Sequence, residues 1–309
     1  MSLSLLSVMH VNVNCSDLER SLGFYRDQVG LVSQSHTKPL PQDGAAFGLR
    51  GRVVWDAHLL HDDRGFASAA VDLLEWKTPA PVGVPAREVN QLGFARLCLA
   101  HPDLDALHAS FQGAGVVCRS APVSIPVLED QQVRFFCCED PDGTLVEFVE
   151  RPGPLRLSHI NINCRDLDAS SDWYQRVLGV KPIATRAEPP AAAGIGFGLD
   201  GDCSYRADFL AVAGNAESLI LDLLEWKDPK PIGEPFREAH HLGLFRMAFM
   251  VEDAAASCAE LDRLGVTHSG VCWLEMGPEI PIDGLNAVFF RDPDGSCLEL
   301  IETPQISQG

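Results

Sequence analysis

The sequence predicts an α+β fold in which a tandem duplication yields four βαβββ modules, and these form two curled-sheet domains. The main observation is that long segments recur in the same order. HVNVNCSDLERSLGFYRDQVGL at 10–31 returns as HININCRDLDASSDWYQRVLGV at 159–180. VDLLEWKTPAPVGVPARE at 71–88 returns as LDLLEWKDPKPIGEPFRE at 221–238. A nearly constant offset along the chain indicates two copies of one domain with few insertions.

The boundary between the copies is predicted at RPGPLR, residues 151–156, where Pro and Gly interrupt the periodicity. We therefore expect an N-terminal domain at residues 1–151, a linker at 152–156 and a C-terminal domain at 157–309. The proline-rich segment that follows EWK in both copies is too irregular for a strand. It is either a lid over a cavity or a rigid connector between modules.

Each copy opens with a strand and a helix. In HVNVN, alternation places His10, Asn12 and Asn14 on one face of the strand and the valines on the other. Asp17 is a good N-cap for the following helix, and Gly30 ends it. The second copy has the same residue types at these positions, so we expect the same elements there.

Further strands and a second helix complete each copy. Three strand-like runs come first, which in the first copy are AAFGLRG, RVVWDAHLL and SAAVDLLEW. A second strand–helix pair follows, as FARLCLA and DLDALHASFQGAG in the first copy and as FRMAFMV and DAAASCAELDRLG in the second. Two strands close each copy, and Asp-Pro-Asp-Gly between them is a strong turn signal. The first module of each copy therefore has the order βαβββ, and we expect the second module to share it, with one further strand before the two that close the copy.

The composition disfavours several classes of function. The formal net charge of −19 argues against nucleic acids and anionic membranes, because Lys and Arg would be needed to bind either. No apolar run is long enough for a membrane span, and the N-terminus lacks the basic region of a signal peptide. The ten cysteines form no CxxC pair, which favours free thiols. We expect a cytoplasmic protein with a small-molecule partner, and pairing of sheet edges is compatible with a homodimer.

The module order, the His on the opening strand, the DPDG turn and the Glu on the last strand together resemble the vicinal oxygen chelate superfamily. This group includes glyoxalase I, bleomycin-resistance proteins and extradiol dioxygenases. The resemblance covers essentially the whole chain and implies an eight-stranded curled sheet in each domain. Four modules in this length look most like extradiol dioxygenases, whose active site lies in the second domain. The resemblance therefore implies a site in the C-terminal domain.

The resemblance also implies candidate site residues. Metal-using members bring a His from the first strand, a His from the strand of the second module and a Glu from the last strand to one divalent ion. The corresponding positions are His159, Arg246 and Glu299 in the second copy and His10, Arg96 and Glu147 in the first copy. Both copies thus have arginine where the family has a histidine ligand.

Arginine carries only donors and stays protonated, so it cannot coordinate a cation. A 2-His-1-carboxylate triad is therefore incomplete in both copies. Each arginine would pair with the glutamate of its copy, or it would hold an enolate or phenolate of a ligand. If a divalent metal (Fe, Mn, Ni or Zn) does bind, the expected ligands are His159 and Glu299, completed by His241 or by a carboxylate such as Asp222.

We interpret the chain as a small-molecule enzyme that acts on an oxygen-rich organic substrate by isomerase, lyase or ring-modifying chemistry. In a metal-free mechanism His159 is the general base, Arg246 stabilises an enolate or phenolate, and Glu299 either orients Arg246 or relays the proton. An extradiol-type dioxygenase is one alternative, although Phe289 and Phe290 stand near the position of that family's catalytic Tyr. A metal-free protein that sequesters a ligand, of the antibiotic-resistance type, is the other.

Overall fold

A computed structural model describes residues 2–128, 131–186, 193–214, 219–277, 280 and 282–303 of the chain. The first module contains strands β1 (Ser7–Cys15), β2 (Val32–Thr37), β3 (Gln42–Asp43), β4 (Arg52–His61) and β5 (Ala70–Thr78), and helix α1 (Leu18–Leu22), which continues as a π-helical turn (Gly23–Gln28). The second module contains β6 (Gly93–His101), α2 (Leu104–Ala114), β7 (Val123–Leu128), β8 (Gln131–Glu139) and β9 (Leu145–Glu150).

The second half of the chain repeats this order. The third module contains β10 (Arg156–Asn163), α3 (Leu167–Leu178), β11 (Lys181–Arg186), the short helix α4 (Ala193–Gly196), β12 (Ser204–Ala211) and β13 (Ile220–Asp228). The fourth module contains β14 (Gly243–Val251), α5 (Ala254–Arg263), β15 (Cys272–Glu275), β16 (Gly284–Arg291) and β17 (Cys297–Glu302). The predicted βαβββ order is therefore confirmed in all four modules. The assignment of AAFGLRG as a strand is wrong, because Gly44–Phe47 form a 3-10 turn that ends at Gly48 with a positive φ, and the strand lies earlier, at Val32–Thr37.

An aspartate N-cap begins the main helix of every module. The side chains of Asp17, Asp103, Asp166 and Asp253 each accept a hydrogen bond from a backbone N–H in the first turn. A cap of this kind satisfies one of the donors that have no partner inside the helix. No helix in the described ranges is long and apolar enough to cross a bilayer.

The modules pair across the two halves of the chain. The first sheet has nine strands, in the order β15-β16-β17-β14-β1-β5-β4-β2 with β3 paired to β4, and thus combines the first and fourth modules. The second sheet has eight strands, in the order β11-β12-β13-β10-β6-β9-β8-β7, and combines the second and third modules. The two curled sheets of the predicted fold class are confirmed.

The expectation that residues 1–151 and 157–309 would each build a separate sheet is wrong, and chain connectivity explains why. Only five residues separate Glu150 from Arg156, and they join β9 to β10, which lie on either side of β6. Strands two positions apart are about 10 Å apart, which five residues span easily. The short linker therefore keeps the second and third modules in one sheet.

The proline-rich segments carry the chain from one sheet to the other. The backbone N–H of Val82 donates to the carbonyl of His240, and that of Leu242 donates to the carbonyl of Val82. The loop of the second copy makes the equivalent bonds. The backbone N–H of Leu92 donates to the carbonyl of Ile232, and the backbone N–H of Ile232 donates to the carbonyl of Asn90. Each segment connects two modules, as the connector interpretation predicts, and it also binds a segment from the other half of the chain.

The main apolar core lies on one face of both sheets. Val11 and Val13 of β1 and Ile160 and Ile162 of β10 are buried in it. The alternate residues of these strands begin with His10 and His159 and face away from this core, as the period of two requires. Smaller aromatic cores line that opposite face of each sheet.

Candidate functional site

Strand register assembles a polar cluster on the face of the second sheet that is turned away from the main core. His159 on β10 lies opposite Cys98 on β6, and Cys98 lies opposite Glu147 on β9. Arg96, two residues before Cys98, shares its face. The second cluster is defined here as Arg96, Glu147, His159 and Asp222.

The first sheet has the equivalent arrangement. His10 on β1 lies opposite Ala248 on β14, and Ala248 lies opposite Glu299 on β17. Arg246 precedes Ala248 by two residues and shares its face. The first cluster is defined as His10, Asp72, Arg246 and Glu299.

The structure therefore groups the predicted site residues differently from the sequence. Arg96 with Glu147 and Arg246 with Glu299 form ion pairs, as predicted. Each histidine, however, lies beside the ion pair of the other copy. His10 lies beside Glu299, and His159 lies beside Glu147. The predicted combination of His159 with Arg246 and Glu299 is wrong because β10 pairs with β6, and β14 pairs with β1.

In the first cluster, Arg246 bonds both carboxylates. Its Nε donates to Oε2 of Glu299 at 2.8 Å, and its Nη2 donates to Oδ2 of Asp72 at 2.7 Å. Nε2 of His10 lies 3.3 Å from Oε2 of Glu299 and 3.8 Å from Oδ2 of Asp72. All four residues are buried, so this cluster is a compact group of charges that bind one another.

In the second cluster, Arg96 bonds the glutamate from the side. Its Nε donates to Oε2 of Glu147 at 3.0 Å and its Nη1 donates to the carbonyl of Val89 at 3.2 Å. Its guanidinium lies 4.5 Å above the ring of Phe197, in the range of a cation–π contact. Nε2 of His159 lies 3.6 Å from the other oxygen, Oε1, of Glu147. This geometry leaves Oε1 facing the imidazole rather than the guanidinium.

The charges keep both glutamates ionised. Burial alone would raise the pKa of Glu147, but the hydrogen bond from His159 and the charges of Arg96 and His159 lower that pKa to about 2. Burial likewise opposes ionisation of Glu299, and Arg246 together with His10 lowers its pKa below the ordinary value. Each glutamate is therefore a weak proton acceptor at neutral pH.

The asparagines of the opening strands hold the second carboxylate of each cluster. Nδ2 of Asn161 donates to Oδ2 of Asp222 at 2.5 Å, and Asn12 donates to Asp72 at 3.2 Å. Because Asn161 and Asp222 are register partners on β10 and β13, the hydrogen bond follows from strand pairing. The alternation of Asn after each His was the sequence signal for this role, and the sequence reasoning missed it.

The next asparagines tie the clusters to the proline-rich loops. Asn163 accepts a hydrogen bond from Nε1 of Trp226 at 2.9 Å and donates to the carbonyls of Val89 and Gln91. Val89 is also the residue whose carbonyl accepts from Arg96. The repeated EW dipeptide and the proline-rich loop therefore position the arginine.

The second cluster lines a cavity, whereas the first cluster does not border the cavity described for its own sheet. A cavity of about 870 Å³ is bordered by all four of its members and by aromatic side chains that include Phe135, Phe197 and Phe209. A second cavity, of about 650 Å³, lies beside Phe47, Phe289 and Arg291 in the first sheet and is bordered by none of the first cluster. We call the larger one the second-sheet cavity.

The divalent cation that the resemblance implies does not fit the first cluster. There the guanidinium of Arg246 donates to both carboxylates, so a fixed positive charge already stands between them. The second cluster is different, because the ligand atoms of Cys98, Glu147 and His159 all lie within 4.8 Å of one another. Nitrogen, oxygen and sulfur ligands of this kind fit a divalent metal such as zinc.

Other predicted ligands lie elsewhere. The ring of His241 stacks on that of Phe236, with 3.7 Å between centroids, and its Nδ1 lies 2.9 Å from the carbonyl of Leu242. His241 packs against Gly83, so closely that a Cβ added to Gly83 would clash with Nε2 of His241. Among the predicted completing ligands, only Asp222 belongs to a cluster.

Comparison with known proteins confirms the resemblance inferred from the motifs. The model of the Glyoxalase/Bleomycin resistance protein/Dioxygenase superfamily matches residues 7–148 and 156–300. Lactoylglutathione lyase of Escherichia coli O157:H7 is 27% identical over 159 residues, which are 50% of this chain and 98% of the relative. A lactoylglutathione lyase of Arabidopsis thaliana is 22% identical over 295 residues, which are 95% of this chain and 90% of the relative.

Solved structures show the same fold. The crystal structure of glyoxalase I from Zea mays superposes with a TM-score of 0.66 at 18% identity, covering 96% of this chain and 92% of that one. A putative dioxygenase from Bacillus subtilis gives a TM-score of 0.59 at 13% identity, covering 98% of this chain and 87% of that one. At these identities the likeness concerns the arrangement of the modules.

Proposed function

Because the chain belongs to the glyoxalase/bleomycin resistance protein/dioxygenase superfamily, we propose that it is an enzyme that acts on a small organic molecule in the second-sheet cavity. The reaction we propose is proton transfer at a carbon next to a carbonyl group, of the lyase or isomerase kind. The observation that carries the proposal is that all four members of the second cluster line a cavity of about 870 Å³, a size typical of ligand sites.

The relatives and the cavity wall together suggest the substrate class. Lactoylglutathione, which gives the relatives their name, carries a hydroxyl and a thioester carbonyl on adjacent carbons. The wall of the second-sheet cavity is mostly apolar and includes Phe135, Phe197, Ile183 and Phe209. Such a wall favours an aromatic or alkyl substituent over a polar tripeptide. The proposed substrate is an α-hydroxy carbonyl compound with an apolar substituent.

Arg96 supplies the fixed positive charge. Glu147, the carbonyl of Val89 and the ring of Phe197 hold its guanidinium in place. Removal of a proton next to a carbonyl moves the electron pair onto the carbonyl oxygen. A preorganised guanidinium stabilises that oxygen as its charge develops.

Asp222 is the proposed proton acceptor. Of the two carboxylates that line the cavity, Glu147 has a pKa lowered to about 2 and accepts protons weakly. Asn161 donates to Oδ2 of Asp222 at 2.5 Å, and Nε2 of His159 lies 3.8 Å from the same oxygen. Asp222 takes the proton from the hydroxyl-bearing carbon to give an enediolate, the hydroxyl proton passes to the neighbouring oxygen, and Asp222 returns its proton to the former carbonyl carbon. This sequence interconverts the two α-hydroxy carbonyl isomers without a net change of charge.

His159, which was predicted both as a general base and as a metal ligand beside Glu299, keeps the second of these roles here with different partners. His159, Glu147 and Cys98 would hold a divalent cation, which when bound would polarise two adjacent substrate oxygens as a Lewis acid. His159 was predicted as the general base beside Arg246 and Glu299. In this proposal it stays at the site, with Arg96 and Glu147 as its partners.

The test measures loss of the proton next to the carbonyl in D₂O by NMR. We use two candidate substrates, an aromatic α-hydroxy ketone and the hemithioacetal formed from glutathione and methylglyoxal. We expect exchange of the first to be faster, and we expect Asp222→Asn to slow it at least a hundredfold. The matched control is Asp72→Asn in the first cluster, which should keep the wild-type rate.

Three results would contradict the proposal. Exchange that survives in Asp222→Asn but is lost in Asp72→Asn would place the reaction at the first cluster. Faster exchange of the glutathione adduct would overturn the apolar substrate class. Saturable binding of both compounds without exchange would indicate a protein that sequesters its ligand.

A further inference from the structure

We propose that Cys98 is a metal ligand and that the chain binds one thiophilic divalent cation, at the second cluster only. The ligand set is Cys98, Glu147 and His159, and Asp222 lies beside it. This inference rests on the proposed function in taking the second-sheet cavity as the working site. It does not depend on turnover.

The first argument is that the three ligands form one row of the sheet. His159, Cys98 and Glu147 are register partners on the neighbouring strands β10, β6 and β9. Register partners in neighbouring strands present their side chains on the same face. The corresponding row in the first sheet is His10, Ala248 and Glu299. The rows differ at one position, where cysteine replaces alanine and adds a thiol between the imidazole and the carboxylate.

The second argument is the distance between the ligand atoms. Oε1 of Glu147 lies 3.8 Å from Sγ of Cys98 and 3.6 Å from Nε2 of His159. Ligands that lie about 2.0 to 2.3 Å from a tetrahedral zinc ion are separated from one another by about 3.3 to 3.7 Å. Small side-chain adjustments therefore bring the three atoms to coordination distance. Oδ2 of Asp222, 3.8 Å from the same imidazole nitrogen, is within reach of the fourth position.

The third argument is electrostatic. Arg96 and the two carboxylates of the second cluster together carry one negative charge when His159 is neutral. A divalent cation that displaces the thiol proton of Cys98 brings the buried group to neutrality, which a low-dielectric site requires. Arg96 donates to Oε2 of Glu147, so it orients the ligand whose other oxygen faces the cation.

The sulfur ligand selects the class of cation. Thiolate and imidazole together favour zinc and cobalt over magnesium or calcium, which prefer oxygen. The first row has no thiol, and Arg246 bonds both carboxylates of the first cluster, Glu299 and Asp72. We therefore expect one cation for each chain, although the duplication produced two clusters.

Cobalt is the probe. Tag-free protein is dialysed against a chelator and titrated with Co²⁺ while the near-ultraviolet absorption is recorded. A thiolate bound to cobalt gives a sulfur-to-metal charge-transfer band. We expect this band to saturate at one equivalent for each chain, and added zinc should abolish it.

Two alanine variants form a matched pair. Cys98→Ala gives the second row the same residue types as the first. We expect this variant to lack the charge-transfer band and to bind cobalt at least tenfold more weakly than the wild type. Cys137 lies opposite Glu147 on the other side of the row, so Cys137→Ala should keep the band. A band that survives Cys98→Ala, a band that disappears in Cys137→Ala, or saturation at two equivalents would each overturn the inference. Circular dichroism establishes that each variant is folded.

Proton exchange separates this inference from the proposed function. Exchange in chelator-treated protein that shows no cobalt band would overturn the metal inference and leave the reaction in place. A cobalt band that Cys98→Ala removes, in a protein without exchange on any substrate, would support the metal site and contradict the reaction.

Discussion

Replacing Glu147 with Gln should destabilise the protein more than replacing Glu299 with Gln, although the two glutamates occupy equivalent positions. In the second cluster, Arg96 donates to the carboxylate of Glu147 and, within the part of the chain that the structure describes, also to the carbonyl of Val89. In the first cluster, Arg246 also bonds Asp72, at 2.7 Å. The buried guanidinium therefore keeps a carboxylate in Glu299→Gln and loses its carboxylate hydrogen bond in Glu147→Gln.

The magnitudes follow from this difference. Breaking a buried ion pair by removing one partner costs about 3 to 5 kcal/mol. Losing one hydrogen bond to a charged group, while another carboxylate remains, costs about 1.5 to 3 kcal/mol. We expect the free energy of unfolding of Glu147→Gln to be lower than that of Glu299→Gln by about 2 kcal/mol.

The assay is equilibrium unfolding in urea at pH 7 and 25 °C, with a chelator present so that both variants are compared without metal. Circular dichroism and tryptophan fluorescence should give coincident transitions, which is the condition for comparing free energies. Equal losses in the two variants, or a larger loss in Glu299→Gln, would refute the reasoning. Either outcome would mean that Asp72 does not share the charge of Arg246 in solution.

Three further predictions concern stability, measured by the same assay. Asn163→Leu removes hydrogen bonds to two loop carbonyls and to a buried indole N–H, and it should cost about 3 kcal/mol or more; a loss below 1 kcal/mol would contradict this role. Gly83→Ala should cost more than Gly48→Ala, because both have positive φ but only the former would place a Cβ 2.1 Å from the ring of His241; equal losses would exclude the clash. Burial raises the pKa of Asp140 to about 6. The folded state therefore holds the proton more tightly, and this residue's contribution to stability falls by about 3 kcal/mol as the pH rises from about 4 to 6. Asp140→Asn should reduce that fall, and an unchanged pH profile would disprove the assignment.

Local features of the sequence predicted the modules and the ion pairs correctly. The period of two in HVNVN placed His10 and both asparagines on one face, and the structure has them there. Arg96 and Glu147 were predicted to pair because an inward glutamate needs a partner, and they form an ion pair at 3.0 Å. Predictions of this kind succeed because strand alternation and charge pairing act over a few ångströms.

Which modules share a sheet could not be predicted from these local features. The strands FARLCLA and FRMAFMV have nearly the same apolar pattern, so HVNVN could pair with either one at similar cost. The choice depends on the connection lengths, which are five residues between β9 and β10 and much longer at the proline-rich loops. A local pattern does not encode this choice, and the predicted triad at His159 combined residues that belong to different sheets.

The duplicated clusters have diverged at the residues around the conserved positions. Cys137 lies opposite Glu147 in the second row, and the larger Phe289 lies opposite Glu299 in the first. The ring of Phe289 packs 5.2 Å from that of Phe47. The side chain of Glu299 is 1% exposed and that of Glu147 is 10% exposed. Cys137 occupies less volume beside Glu147 than Phe289 occupies beside Glu299. Since the charged residues are the same in both sheets, we attribute the greater exposure of Glu147, and its place beside the second-sheet cavity, to its smaller neighbour.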